Sequence, residues 1–237
     1  MCIRDRILLL TSVGMYVVNS LLEVENLEKS YGRNRVINNL SLAVNSSEVV
    51  VIRGANGSGK TTLLSIISSL VAYDSGAVKI FGKDLRSDPH EYRSQLAFVA
   101  HQPFLYSQLT VRENLEFYAQ LNSLDDFRNT ILEKTSLIGL SDRLDTKVST
   151  LSHGYVKRTA IARALLHGPQ LLLFDEPESG LDRESLGLLE EIIDSELKKG
   201  TSILMTTHSQ EIVYKGVIRN QRISKGCLLY TSDAADE

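Results

Sequence analysis

The chain has 237 residues, 43% of them hydrophobic and 23% charged, and a formal net charge of −3. That length and apolar content support one large domain with a real core, or one domain carrying a subdomain. The near-balanced charge gives no reason to expect nucleic acid as the main partner.

The two ends stand apart from the rest. The chain opens MCIRDR and closes CLLYTSDAADE. Cys-Leu-Leu-Tyr-Thr-Ser can be encoded TGT CTC TTA TAC ACA TCT. Read from its ATG, the reverse complement of that stretch encodes Met-Cys-Ile-Arg-Asp, which is how this chain begins. One piece of DNA attached in opposite orientations accounts for both ends, and it resembles a transposon-derived sequencing adapter. Residues 1–6 and 227–237 are therefore expected to be read-through, and both cysteines, Cys2 and Cys227, fall inside them. The remainder offers no disulfide framework and no cysteine metal site. The run ILLLTSVGMYVV behind Arg4 and Arg6 imitates a signal peptide but is too short for a bilayer-spanning helix. Met15 is the expected native start, with the domain running over 15–226.

SLLEVENL reads as a first strand. EVVVIRG, Glu48 to Gly54, is a β-branched apolar run ending in glycine, hence a buried strand. TTLLSIISSLV has helical spacing. GAVKIFGKDL and QLAFVAHQ are strand-like. From Thr110 the pattern turns helical through TVRENLEFYAQL and NTILEKTSLIGL, and Thr110 with Glu113 forms a capping-box signal. Ser152 is expected to cap a helix with Val156, Ala160, Ile161, Ala164 and Leu165 on its apolar face, stopped by Gly168-Pro169. QLLLFDEP is another buried strand. Asp182 can cap a helix with Leu186, Leu189, Ile193 and Leu197 inward, ended by Gly200. TSILMTTH is a further apolar strand. Strands alternating with helices predict an α/β fold with a mainly parallel sheet. The helical insert of about 103–150 predicts a helical subdomain.

Chemistry concentrates in two stretches. GANGSGKTT, Gly54 to Thr62, fits the phosphate-loop pattern and sits between a strand and a helix. Gly54, Asn56, Gly57, Ser58 and Gly59 let backbone N–H groups converge on phosphate oxygens, at a helix N-terminus that adds positive potential. Lys60 would reach the β- and γ-phosphates of ATP, Thr61 would ligate Mg²⁺, and Thr62 completes the cradle. In LLLFDEP, Asp175 ends a buried strand at the sheet's C-terminal edge, where open α/β sheets bind ligands, and would hold Mg²⁺. Glu176 follows; strand alternation predicts that it points elsewhere, and it could activate the water that attacks the γ-phosphate. His90, His101, His153 and His167 show no metal spacing.

Together these residues resemble the nucleotide-binding domain of the ATP-binding-cassette (ABC) family of P-loop NTPases, over roughly Leu22 to Gly226. The resemblance implies a mainly parallel core sheet with an antiparallel β part and a helical subdomain. It further implies roles for residues that spacing alone leaves open. Tyr31 in KSYGRNRVINNLSL looks like the aromatic that stacks on adenine. Gln102 in AHQPFLY looks like the Q-loop glutamine, a contact for nucleotide and Mg²⁺. LSHGYVKR looks like the signature, SGLD with Asp182 like the D-loop, and His208 in MTTHS like the switch histidine that organises the attacking water. The signature departs from the family's LSGGQ: His153 replaces its first glycine and Tyr155 its glutamine, while Ser152 and Gly154 remain. In the family, the signature binds the γ-phosphate of ATP held by the partner cassette. The resemblance thus implies an ATPase that closes head to tail on ATP as a homodimer or with a paralogous subunit. It would lie peripherally on the cytoplasmic face of the cell membrane and drive a membrane-spanning transporter subunit docked near Pro103 to Tyr118. AHQPFLYSQLTVRENLEFYAQL and RALLHGPQLLLFDEPESGLD are most similar to the ATPase of the haem exporter in cytochrome c maturation. Export of lipid, polysaccharide or drug, or a non-transport nucleotide-dependent interaction module, are the alternatives.

Overall fold

The structure, a computed structural model, describes residues 20–87, 92–208 and 218–230. Residues 1–6, the expected start at Met15, His90 and residues 231–237 lie outside them. Two sheets form. The first is antiparallel, in the order β2-β1-β4-β5, from β1 (Ser20–Tyr31), β2 (Asn34–Asn45), β4 (Ser75–Ile80) and β5 (Lys83–Asp84). The second has six strands in the order β10-β9-β3-β8-β7-β6. Its members are β3 (Val49–Arg53), β6 (Leu96–Val99), β7 (Leu171–Asp175), β8 (Ser202–Thr207), β9 (Ile218–Ser224) and β10 (Cys227–Tyr230). All its pairings are parallel except β10 on β9. The expected combination of parallel core and antiparallel part is therefore present. Cys227–Tyr230, within the expected read-through, forms the edge strand β10, and Cys227 Sγ donates to Asn38 O at 3.3 Å.

The central strands read as continuous apolar runs because both faces are covered. Side chains alternate between the faces. Val49, Val51, Leu172, Phe174, Ile203 and Met205 join one core with the helical part of the chain. Val50, Ile52, Leu171, Leu173 and Leu204 join another with Leu63, Leu64, Ile66 and Ile67 of α1 (Lys60–Ile67) and the antiparallel sheet. Two cores on the two faces of one sheet hold its C-terminal edge in place, and the chemistry-bearing loops leave from that edge.

The helical part contains α2 (Val111–Leu121) and α3 (Phe127–Leu137), which pack on each other and on α4 (His153–Leu165). The capping box forms as expected. Glu113 N–H donates to Thr110 Oγ1 at 3.1 Å, and Thr110 N–H to Glu113 Oε2 at 2.7 Å. Removing the side-chain acceptor in Thr110→Ala should cost about 1 kcal/mol, seen as a lower urea midpoint at unchanged slope. The chain then returns to the sheet through β7, and α5 (Arg183–Lys198) starts at Asp182, whose carboxylate accepts from Ser185 N–H at 2.8 Å. Ser185 holds the Asp182 carboxyl below the usual carboxylate range, through its backbone N–H first and its side chain second. The inward face of α5 centres on Leu189, Ile192 and Ile193, with Leu186 and Leu197 only half-buried. Among the described residues no helix is long and apolar enough to cross a membrane.

Candidate functional site: a phosphate loop facing two acids

The loop after β3 curls because its glycines permit it. Gly59 takes φ +104° immediately before α1, and a Cβ there would lie 2.9 Å from Val36 O, so only glycine fits. No side chain caps α1. Its first N–H groups and its positive dipole end therefore face the cleft. Lys60 is 4% exposed. Its ammonium donates to Gly54 O at 2.9 Å and Ala55 O at 3.2 Å, and pairs with Glu176 Oε1 at 3.2 Å.

Across the cleft, Asp175 ends β7 and is 1% exposed. Oδ1 accepts from the Thr206 hydroxyl at 2.8 Å, and Oδ2 is buried with no hydrogen-bond partner among the described residues. A buried, orphaned carboxylate oxygen calls for a cation or a donor from outside the chain. The oxygen donors available at the cleft, Asp175 and the Thr61 hydroxyl, suit a hard cation such as Mg²⁺ that takes its other ligands from phosphate and water. No cluster of three or more His, Cys, Asp or Glu groups among the described residues could hold a metal by itself.

Glu176 corrects a sequence expectation. It does not continue the strand alternation but adopts φ +48°, outside β7, and its N–H donates to Thr206 O at 3.1 Å and Thr206 Oγ1 at 3.2 Å. That turn brings its carboxylate into the same cleft as Asp175. Oε1 meets Lys60, and Oε2 lies 3.3 Å from His208 Nδ1. The cleft has a volume of about 460 Å³ and is lined by Asn56, Gly57, Gly59, Lys60, Thr61 and Thr62 with both acids. It therefore offers convergent N–H donors, one buried ammonium, an orphaned carboxylate oxygen and a second carboxylate held beside a histidine.

Other expected residues lie elsewhere. Ser58 is buried, with its hydroxyl unpartnered among the described residues, and it sits on the back of the loop with Gly54. Tyr31, 50% exposed, ends β1 with Lys29 Nζ 5.2 Å from its ring centre, and Asn34 and Val36 line the cleft in its place. Gln102 is exposed and not among the lining residues, whereas its neighbour His101 is. Asp182 acts as a helix cap outside the cleft. Ser152 occupies the N-cap of α4 as expected, but its side chain makes no capping bond, which leaves that helix start open. Neither Ser152 nor Gly154 lines the Lys60 cleft. His153 is exposed and packs against the loop before Asp182. Gly180 has φ +74°, and a Cβ there would stand 2.7 Å from His153 Nδ1, so the ring occupies space that only glycine leaves free.

Two residues escaped the sequence reading. Lys157, on α4, is 6% exposed and donates to Glu176 O at 3.3 Å. Its spacing from Ala160, Ile161 and Ala164 placed it on the apolar face, but its residue type argued for solvent. Glu178 is likewise buried and accepts from the Thr207 hydroxyl; nothing in the local pattern marked it.

A sequence profile described as ABC transporter matches residues 37–179. The chain is 34% identical over 188 residues to the cytochrome c biogenesis ATP-binding export protein CcmA of Vibrio vulnificus, covering 79% of this chain and 92% of that one. It is 31% identical over 195 residues to the linearmycin resistance ATP-binding protein LnrL of Bacillus subtilis; that match covers 81% of this chain and only 63% of the relative's length. Among solved structures, the ATP-binding subunit of an ABC transporter superposes with a TM-score of 0.81 at 29% identity over 88% of each chain. The ADP conformation of another ATP-binding cassette superposes at 0.75 with 28% identity over 89% of each.

Proposed function

Because this chain belongs to the ABC transporter family, as an ATP-binding cassette that hydrolyses ATP, we propose that two copies close head to tail around ATP and drive a membrane-spanning partner. The observation that carries this reading is the position of Glu176, held between Lys60 and His208 beside Asp175. Entering phosphates would draw Lys60 away from Glu176 and the loop carbonyls, since a phosphate dianion competes well for a buried ammonium. The freed carboxylate takes a proton from water as the water oxygen bonds to the γ-phosphorus and the bond to the bridging oxygen of ADP breaks. His208 orients that water and the γ-phosphate. Asp175 and Thr61 would hold Mg²⁺, which supplies charge neutralisation at the phosphates. Tyr31 would stack on adenine and Gln102 would contact the metal, both from exposed positions beside the cleft rather than from its lining.

The open α4 start, with Ser152 and Gly154, does not line its own Lys60 cleft, so it serves the nucleotide of a second copy. ATP drives closure only because it binds the closed pair better than separate chains. The protein then sits peripherally on the cytoplasmic face of the membrane, with residues 15–226 as the working cassette. Residues 103–118 are the docking surface. Phe104, Tyr106 and Phe117 are exposed there, and two of them stack edge-on at 5.1 Å. Haem export for cytochrome c biogenesis is the finer reading, supported by the match to nearly the full length of the CcmA relative. Export of another small molecule is the alternative, supported by LnrL. Capture of the membrane subunit from cells by the tagged cassette separates the two.

Sedimentation tests the closed pair. Glu176→Gln with ATP and Mg²⁺ should sediment as a dimer, and adding Ser152→Asp, which sets a carboxylate against the incoming phosphate, should return it to monomer. A monomer at all concentrations in the first case contradicts the proposal.

A further inference from the structure

The geometry assigns Lys157 a task that its place in the signature does not announce. Lys157 lies on α4, the helix whose N-cap is Ser152 and whose first turn carries Gly154, yet its ammonium reaches the carbonyl of Glu176, just past the end of β7. The surroundings are closed and acidic: Asp175 is 1% exposed and Glu178 8%. One oxygen of Glu178 accepts from Thr207, the residue before His208, and the other has no hydrogen-bond partner among the described residues. Burial pushes the Lys157 amine down from its usual range, while Glu178, Asp175 and Glu176 act against that. Burying a lysine is unfavourable unless its charge and donors are used, so apolar packing on α4 does not account for it.

Glu176 needs holding. A non-glycine residue at φ +48° sits in a sparsely populated region and persists only where neighbours over-determine it. Its N–H is fixed by Thr206, and its carbonyl is fixed by Lys157. We infer that Lys157 is a positioning residue: it ties the signature helix to the Glu176 backbone and so sets where the Glu176 carboxylate stands relative to Lys60 and His208. Any movement of α4 when Ser152 engages the partner's nucleotide is passed to Glu176 through this bond. The buried Glu178 supplies the counter-charge and joins the same network to Thr207, the last residue of the strand that leads into His208. This inference rests on Glu176 acting as the base.

The test uses the full chain carrying Lys157→Met, which keeps the aliphatic length and removes the donor and the charge. A second variant, K157M/E178Q, also removes the counter-charge and so relieves any folding penalty. Steady-state hydrolysis, equilibrium ATP binding and thermal melting are measured on both, with Glu176→Gln as control. The expected outcome is a kcat about tenfold to a hundredfold lower, the scale of an angstrom-sized misplacement, with an ATP Kd within about twofold of the parent. In K157M/E178Q the melting temperature should recover and kcat should not. A kcat near the parent value in either folded variant, or a kcat that recovers together with the melting temperature, overturns the inference. If Glu176→Gln itself hydrolyses ATP at the parent rate, the base assignment falls. If that control is inactive while the lysine variants turn over normally, only the positioning role falls.

Discussion

Glu176→Gln should abolish most ATP turnover while leaving nucleotide binding intact. The amide matches the carboxylate in shape and can still face Lys60 and His208, but it cannot accept a proton from water. General-base catalysis is worth about 10² to 10⁴ in rate, and a loss of that size in kcat is expected, read as phosphate release. Binding should hold or tighten. In the parent chain, Glu176 competes with the nucleotide for Lys60 at 3.2 Å, and a neutral amide competes less. A turnover within tenfold of the parent would move the base role away from Glu176.

Lys60→Met should produce the opposite separation, with binding lost first. Lys60 is buried and points its ammonium at the loop carbonyls and Glu176, where the phosphates would lie. Hydrogen bonds to charged groups contribute roughly 1.5–3 kcal/mol each, so losing the equivalent of one of them should weaken ATP binding by roughly tenfold to two-hundredfold. Methionine fills the channel of the lysine stem, so folding should survive. Glu176, with 20% of its side chain exposed, keeps His208 and solvent as partners. Titration with a fluorescent ATP analogue, with thermal melting alongside, checks both statements. An affinity within threefold of the parent would show that the phosphates do not meet Lys60.

Much of this was legible from local pattern. The strands β3, β7 and β8 announced themselves as short apolar runs because both faces of the sheet are covered. The capping box of α2 was readable because a box needs only residues three apart. By contrast, β2 and β9 have no counterpart among the expected strands. In β2 the alternation of Leu40, Leu42 and Val44 was available, but Asn38 and Asn39 interrupt it. In β9 the sequence IRNQRIS is largely polar, and its pairing with β3 comes from backbone bonds rather than apolar period. Lys157 on α4 went unread for a related reason: periodicity puts it inward, and its charge argues outward.

The sequence alone was enough for the phosphate loop, the acid pair at the end of β7, the buried apolar strands of the core and, through the order of its motifs, the family. Those features depend on backbone conformations set within a few residues and on side-chain period, both of which are written locally. The folded chain was needed to learn that Glu176 turns back into the cleft, that Ser152 leaves its own helix uncapped and stands outside that cleft, and that Lys157 reaches Glu176 from another element. The first and last of these join residues far apart in the chain, Glu176 to Thr206 and Lys157 to Glu176, as does the packing of His153 on Gly180 next to Ser152. Such pairings arise only when strands and helices pack, because the free energy that buries a lysine or holds a left-handed glutamate comes from contacts that no local window contains.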